Sequence, residues 1–469
     1  MADFVLINPP LPPGTQMPNY LPPLGLLSIA AFLLRQGVDA TVLDAAALSL
    51  DPTRAALKAA ESAPLICGLT VPTPALPTAA ETAAKLKQLM PDCTIVVGGA
   101  HPSARPEEVL DTYRSIDYIA IGEGEVTAWE IHQELERRGE PGAVRGVAFR
   151  DGGVIRRSKP RPPIADLDEL PLPAWHVLRP TPTEYEPSPQ STYRLPSTIL
   201  VTSRGDPYAD GYRDQSVFGR KLRLHGAARI FEMMEFLYRR EAIVDFALMD
   251  ESLLIDEGRL VELCRLIQRS GLPLSFSCQA RPDQSLSAFG WRELAKGGCW
   301  QIVFHLAAAE PGMLKRFGAR FTVEQALAAL KATRAANIGA QVRLLVGGPG
   351  ETRTTLRATR HFLRRAPLDD VALGYFTPYP GAEIADGLRG LGQIYNGPGA
   401  RSEWLVNFVP TGFTPQKLRQ ARRRLYRRFY LRADVMLRYL RRLRQPVARA
   451  ALLAAAKAFS RRMFRRPST

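Results

Sequence analysis

Two trains of short apolar runs, each alternating with helical segments, limit what this chain can fold into. In the first 150 residues "DFVLINPP", "DATVLDA", "PLICGLTV", "CTIVVGGAHPS" and "IDYIAIGEGE" read as strands, with "PPLGLLSIAAFLLRQG" and "PTAAETAAKLKQLMP" as helices between them. Uninterrupted apolar strands separated by helices belong to a parallel sheet covered on both faces, because each strand is then buried on both sides. The class is therefore α/β, and the first unit (1–150) is a doubly wound sheet. Such sheets bind ligands beyond the carboxyl ends of their strands. That rule selects four loops: Pro9-Pro10, Thr70-Val71, Gly98-Gly99-Ala100-His101 and Gly122-Glu123-Gly124-Glu125. His101 reads as a loop residue near the pocket.

The alternation then pauses. Ten prolines lie between Pro160 and Pro196, and residues 151–196 read as a stiff, extended linker that spaces or wraps and forms no core. From Ser197 the pattern resumes with a longer period. "STILVTSR", "VDFALMDE", "PLSFSCQAR", "QIVFHL", "QVRLLVGG" and "VALGYFTPYP" are strands, each with a helical partner. Six βα units in a row predict an open, partial α/β barrel over 197–385, with its site at the carboxyl ends of the strands. A connecting segment (386–413) and a helical tail (414–469) complete the division.

Charge sets the tail apart. Thr411 to Thr469 hold 18 Lys and Arg against one acid, so nearly all of the net charge of +16 resides there. Thr414 and Pro415 form a helix start. Leu418, Leu425, Phe429, Met436 and Leu440 recur on one side, arginines crowd the rest, and Pro446 ends the pattern before a second segment, "VARAALLAAAKAFSRRMF". Two readings stay open: a packing helix with a solvated basic face, or contact with an anionic membrane surface. Nucleic acid is not expected as a partner, since the core is nearly neutral and stacking aromatics are few. No apolar run is long enough to span a bilayer and "MADFVLINPP" lacks a signal-peptide pattern, so the expected place is the cytoplasm, with peripheral attachment to the inner membrane face as the tail's second reading.

Five cysteines (Cys67, Cys93, Cys264, Cys278 and Cys299) show no C-x-x-C spacing and sit in apolar contexts. They read as small buried hydrophobes, and no metal site is expected from them.

The motifs taken together carry a resemblance. "NPP…PPLGLLSIAAFL", "VVGGAHPS…PEEVL", "DYIAIGEGE", "LPLPAW", "SVFGRKLR", "ARPD", "GGPGET" and "TPYPGAE" run through nearly the whole chain, which resembles the cobalamin-binding-domain radical S-adenosylmethionine (SAM) enzymes. The resemblance implies a cobalamin-type Rossmann-like domain followed by a partial (βα)6 barrel, and reductive cleavage of SAM at a 4Fe–4S cluster. It implies three cysteines, spaced C-x-x-x-C-x-x-C, on the loop after the first barrel strand. That loop here is "TSRGDPYADGYRDQSVFGR", and Asp206, Asp210 and Arg213 stand at the ligand positions. A SAM-contacting motif resembling G-I-E-S-G is replaced by "HLAAA": Ala307 occupies the acid's place beside Ala308, and Glu310 is the nearest acid a shifted register would bring in. Gly347, Gly348 and Pro349 of "GGPGET" are residual SAM-site positions. His305 reads as a structural histidine.

These substitutions predict that neither the cluster nor productive SAM binding is present, and no residue is assigned a catalytic role. Cobalamin remains an expected ligand, at Thr70, Gly98, Gly99, His101, Gly122 and Glu123, although no D-x-H-x-x-G element supplies a cobalt ligand. The expectation is a radical-SAM-fold pseudoenzyme, binding a corrinoid or working beside an intact paralogue. The alternative is an active cobalamin-dependent enzyme carrying out methylation, cyclisation or C–C bond formation on a lipid or isoprenoid-like substrate.

Overall fold

The computed structural model describes residues 3–12, 21–185, 192–208, 210–251, 253–395, 397 and 401–442. Two sheets organise it. The first has eight strands: β1 (Phe4–Asn8), β2 (Ala40–Asp44), β3 (Ile66–Thr70), β4 (Thr94–Gly98), β5 (Tyr118–Ala120), β6 (Val147–Asp151), β7 (Val154–Arg157) and β8 (Leu178–Arg179). Their order is β7-β6-β5-β4-β3-β1-β2-β8. β1 to β5 and β8 run parallel, while β6 and β7 add an antiparallel hairpin at one edge. The apolar runs explain the centre: every residue of "FVLI" in β1 is buried, with helix Leu24–Arg35 packed over it.

The second sheet follows β9 (Ser197–Leu200) and a short ribbon, β10 (Ser203–Arg204) with β11 (Arg223–Leu224). It continues through β12 (Asp245–Leu248), β13 (Ser275–Ala280), β14 (Cys299–Ala307), β15 (Gly339–Val346) and β16 (Asp370–Tyr375). The order β16-β15-β14-β13-β12-β9 is fully parallel, an open half-barrel. Each crossover carries a helix, and after the first of them (Ala227–Glu241) every crossover has a helix whose start is capped by a side chain. Asp256, Ser287, Thr322 and Thr352 each accept a backbone N–H from the first turn of their helix.

The proline-rich stretch departs from its expected role as a spacer without a core. β7 and β8 close opposite edges of the first sheet, and Leu167, Leu170, Ala174, Trp175 and Leu178 are buried. Prolines at an edge lose no ladder hydrogen bond, so the composition that reads as linker also suits an edge. The first part of the tail follows the packing reading. Helix Pro415–Tyr430 buries Leu418, Leu425 and Phe429 against the half-barrel, so the apolar side seen in the sequence is occupied by protein. Met436 is exposed. The segment after Pro446 lies outside the described residues. No described helix is long and apolar enough to cross a membrane.

Candidate functional site

The carboxyl ends of β1, β3, β4 and β5 open onto a cavity of about 270 Å3, closed on its far side by Arg204, Val217 and Phe218 from the half-barrel's first loop. Glycines and apolar side chains form its floor. A Cβ on Gly68 would lie 2.8 Å from the Phe4 ring and 2.9 Å from Leu6. Gly99 takes φ +101°, and a Cβ there would meet the Val71 nitrogen at 3.0 Å. Only glycine allows this close and left-handed approach. Thr70, Gly98, Gly99, Gly122 and Glu123 all line the cavity, as their strand-end positions require.

His101 does not line it. It sits in the short helix Ala100–Ala104, where Gly99 turns the chain and the His101 N–H bonds to Val71 O. It is 1% exposed, with Nδ1 3.2 Å from Thr73 Oγ1. Burial, aided by Arg401 and Arg105, pulls its pKa down to about 4, so it is neutral at pH 7.

Glu123 lines the cavity, but its carboxylate is engaged. Arg223 Nη1 reaches its two oxygens at 2.8 and 2.9 Å, Arg204 Nη1 donates at 2.8 Å, and Ile164 N donates at 2.7 Å. Arg204 Nη2 continues to Glu125 at 2.6 Å, where Ser28 also donates at 2.6 Å. Burial raises the Glu125 pKa, but the Arg204 charge and these hydrogen bonds outweigh it and leave the carboxyl below its ordinary value. Two acids and two guanidiniums thus form a neutral, buried seam between the two sheets.

A second cavity, about 260 Å3, lies beyond β14, β15 and β16. Arg213, Glu251, His305, Arg343 and Glu403 reach it among Tyr375, Tyr379 and Trp404. Its charges pair: Arg343 with Glu403 at 2.5 Å, and Arg213 with Glu251. His305 Nε2 lies 2.5 Å from Gln279 Oε1. Burial first, then Arg213, Arg343 and Arg281, hold its pKa well below the ordinary value, so this ring too is neutral.

The substituted loop supplies one wall. Asp206 turns inward on its own loop, accepting from Tyr208 N at 3.0 Å. Asp210, 2% exposed, accepts from Arg281 Nη1 at 2.7 Å and lies 3.7 Å from Arg213 Nε. Arg281, equally buried, stacks at 4.0 Å over Tyr208 and forks onto Asp283. Of the three substituted positions only Arg213 lines the cavity. Sequence reasoning did not single out Arg281, although a residue one step past the carboxyl end of β13 stands where barrel sites are built.

The remaining expected positions divide. Ala307 lines the cavity and takes φ +60°, at a register shift where β14 leaves β15. Ala308 and Pro349 are buried and line neither cavity. Gly347 and Gly348 make close approaches to protein. A Cβ on Gly348 would lie 2.5 Å from the Phe317 ring, and one on Gly347 3.0 Å from Leu418 of the tail helix. Glu310 caps helix Pro311–Arg316, its carboxylate accepting Met313 N at 2.8 Å, which removes it as a shifted-register acid.

Residues 13–131 match the B12 binding domain family, a span that carries the glycine cradle. The chain is 26% identical over 427 residues, 89% of each sequence, to an uncharacterized methyltransferase of Pyrococcus horikoshii. It is 26% identical to the anaerobic magnesium-protoporphyrin IX monomethyl ester cyclase of Cereibacter sphaeroides, over 89% of this chain and 68% of that one. The solved radical S-adenosylmethionine methyltransferase TsrM from Kitasatospora setae, which holds cobalamin and a 4Fe–4S cluster, superposes with a TM-score of 0.69 at 17% identity, covering 91% of this chain and 89% of that one. The cobalamin-dependent radical enzyme OxsB superposes with a TM-score of 0.71 at 16% identity, covering 97% and 70%. Residues 13–131 are thus a B12 binding domain, and nearly the whole chain is similar to cobalamin-dependent radical SAM proteins and shares their fold.

Three of the cysteines, Cys264, Cys278 and Cys299, are buried in the core of the half-barrel. Burial pushes Cys264 up to about 12 and Cys299 well above its ordinary value, which keeps both as inert thiols. Among the described residues no three His, Cys, Asp or Glu side chains are placed to hold a metal ion.

Proposed function

We propose that this chain binds cobalamin on a radical SAM scaffold but does not assemble a 4Fe–4S cluster in its barrel loop, and therefore does not cleave SAM reductively. The observation that carries this reading is the ion network at the cluster positions. Iron–sulfur clusters are held by soft thiolates. Two hard carboxylates and a guanidinium occupy those places, and Arg213 has no lone pair to offer. Asp210 is committed to Arg281, and Arg213 to Glu251. Drawing Asp210 onto iron would cost the buried Arg281 one of its two carboxylate partners and leave it Asp283 alone, which is unfavourable.

Cobalamin suits the seam cavity. Gly68, Gly98 and Gly99 leave backbone without side chains at the strand ends, and Thr70 adds a hydroxyl. With His101 buried against Thr73, that residue is not available to cobalt. An intact paralogue is the partner such a corrinoid module would serve.

The test is anaerobic reconstitution of the natural chain beside one carrying Asp206→Cys, Asp210→Cys and Arg213→Cys, with iron, sulfide and visible absorbance measured. A second restored chain adds Arg281→Met, because the first leaves that guanidinium with Asp283 as its one carboxylate partner. No cluster in the natural chain and recovery in a restored one is the expected result. About four irons per natural chain would overturn the proposal.

One observation favours the other reading, an active cobalamin-dependent enzyme: the relatives are named methyltransferase and cyclase, and a hopanoid C-3 methylase of Methylococcus capsulatus is 26% identical over 77% of this chain. That reading needs cluster ligands elsewhere. Release of 5′-deoxyadenosine from SAM under reducing conditions would establish it.

A further inference from the structure

Helices Arg353–Arg365 and Pro415–Tyr430 pack side by side on the outside of the half-barrel. The first carries five arginines, the second six arginines and a lysine, and neither contains an acid. A groove of about 410 Å3 runs between them, floored by Leu363, Leu425 and Phe429. Arg360, Arg364 and Arg428 are exposed on its rim, and among the described residues no carboxylate pairs with them. Like charges on adjacent turns and adjacent helices repel, so this face is electrostatically unfavourable by itself.

Apolar groups crop out beside the same cations. Leu431, at the end of the groove, is 66% exposed, and Met436 and Leu437 on helix Ala433–Arg442 are 47% and 55% exposed. Single exposed hydrophobes need no explanation, but three beside an uncompensated basic groove form an amphipathic face. Of these three only Met436 belongs to the apolar side that periodicity marks; Leu418, Leu425 and Phe429 of that side are buried on the barrel.

We propose that this face docks on an anionic lipid surface. Guanidiniums in and around the groove would meet headgroup phosphates, and Leu431, Met436 and Leu437 would enter the acyl boundary. Nucleic acid shares the charge requirement but also wants stacking platforms. The aromatics here are turned inward: Tyr426, Tyr430 and Tyr439 pack on one another, and Tyr430 also bonds Asp370.

The full chain is sedimented with vesicles of about 30% phosphatidylserine in phosphatidylcholine, and with phosphatidylcholine alone. Binding to the anionic vesicles only, weakened by salt, is expected. Arg360→Glu, Arg364→Glu and Arg428→Glu together should weaken it by about 100-fold or more, at roughly fivefold per cation. Leu431→Ser, Met436→Ser and Leu437→Ser together should weaken it by about tenfold. All six positions are exposed, so thermal midpoints should hold and a binding loss is then a surface effect. Unchanged sedimentation of both variants, with loss only on deleting residues 443–469, would overturn the assignment. So would full competition by inorganic phosphate, or tighter binding to single-stranded RNA than to the vesicles.

Discussion

The two cavities of this molecule are built from different material. The seam cavity is shaped by backbone, with strand ends, a left-handed turn and several glycines among apolar side chains such as Phe4, Leu6 and Val96. The barrel cavity is made of side chains, and each charged one there has found a partner inside the protein. A site shaped by backbone is protected by the fold, since altering it means altering strands. A site made of side chains can change its chemistry while the scaffold remains, and the proposed function places such a change at Asp206, Asp210 and Arg213. Filling the first cavity should therefore separate the two most sharply. Gly98→Leu places a side chain in the seam cavity at a point where a Cβ meets only ordinary contacts, 3.5 Å from Ala120 O. Retained corrinoid, read from visible absorbance, should fall by about tenfold or more while the thermal midpoint barely moves. Undiminished retention would place cobalamin elsewhere.

The seam between the sheets gives the next effect. Glu123, Glu125, Arg204 and Arg223 are buried and mutually neutral, so Arg204→Met leaves two carboxylates short of a partner. A loss of about 3–5 kcal/mol in urea unfolding is expected. A loss under about 1 kcal/mol would show that water reaches the seam and screens it. Double replacement, Arg204→Met with Glu125→Gln, should recover part of the loss.

The sheets were the legible part of this chain. Strands such as "FVLI" are buried on both faces, so their composition announces them. β7 and β8 were hidden because prolines and polar residues suit an edge as well as a linker. Ligand positions were legible as positions, since the carboxyl ends of strands lie where the topology puts them. What occupies them was not. Nothing local shows that Arg281 crosses to Asp210, that Leu418 fills the space beside Gly347, or that Cys264 joins Cys278 and Cys299. Each is a long-range meeting that only the packed chain decides.

Buried histidines offer a smaller test through pH. The folded pKa of His101 is about 4 against an unfolded value near 6.5, so between those limits the unfolded chain binds the proton and the native chain does not. Stability is therefore full above about pH 6.5 and declines as pH falls toward 4, by roughly 2–3 kcal/mol. His225 and His305 shift in the same direction, each chiefly by burial. His101→Gln should flatten the urea midpoint between pH 6.5 and 4. An unchanged slope would assign the acid sensitivity to other groups.

The smallest effect bears on the shape of the barrel's backbone where the resemblance leads one to expect other side chains. Ala307 holds φ +60° where β14 shifts register, and an L residue in that region is strained by about 1–2 kcal/mol. Glycine would remove the strain. It would also lose a buried methyl group and add freedom to the unfolded chain, together about 1–2 kcal/mol the other way. Ala307→Gly should thus be neutral within about 0.5 kcal/mol. Its neighbour Ala308 is buried without a positive φ, so Ala308→Gly meets only the losses and should destabilise by about 1–2 kcal/mol. Equal losses at the two sites would mean that the turn at Ala307 is unstrained. A clear difference would mean that the end of β14 makes a left-handed turn of its own, at the place where the resemblance leads one to expect an acid and small residues.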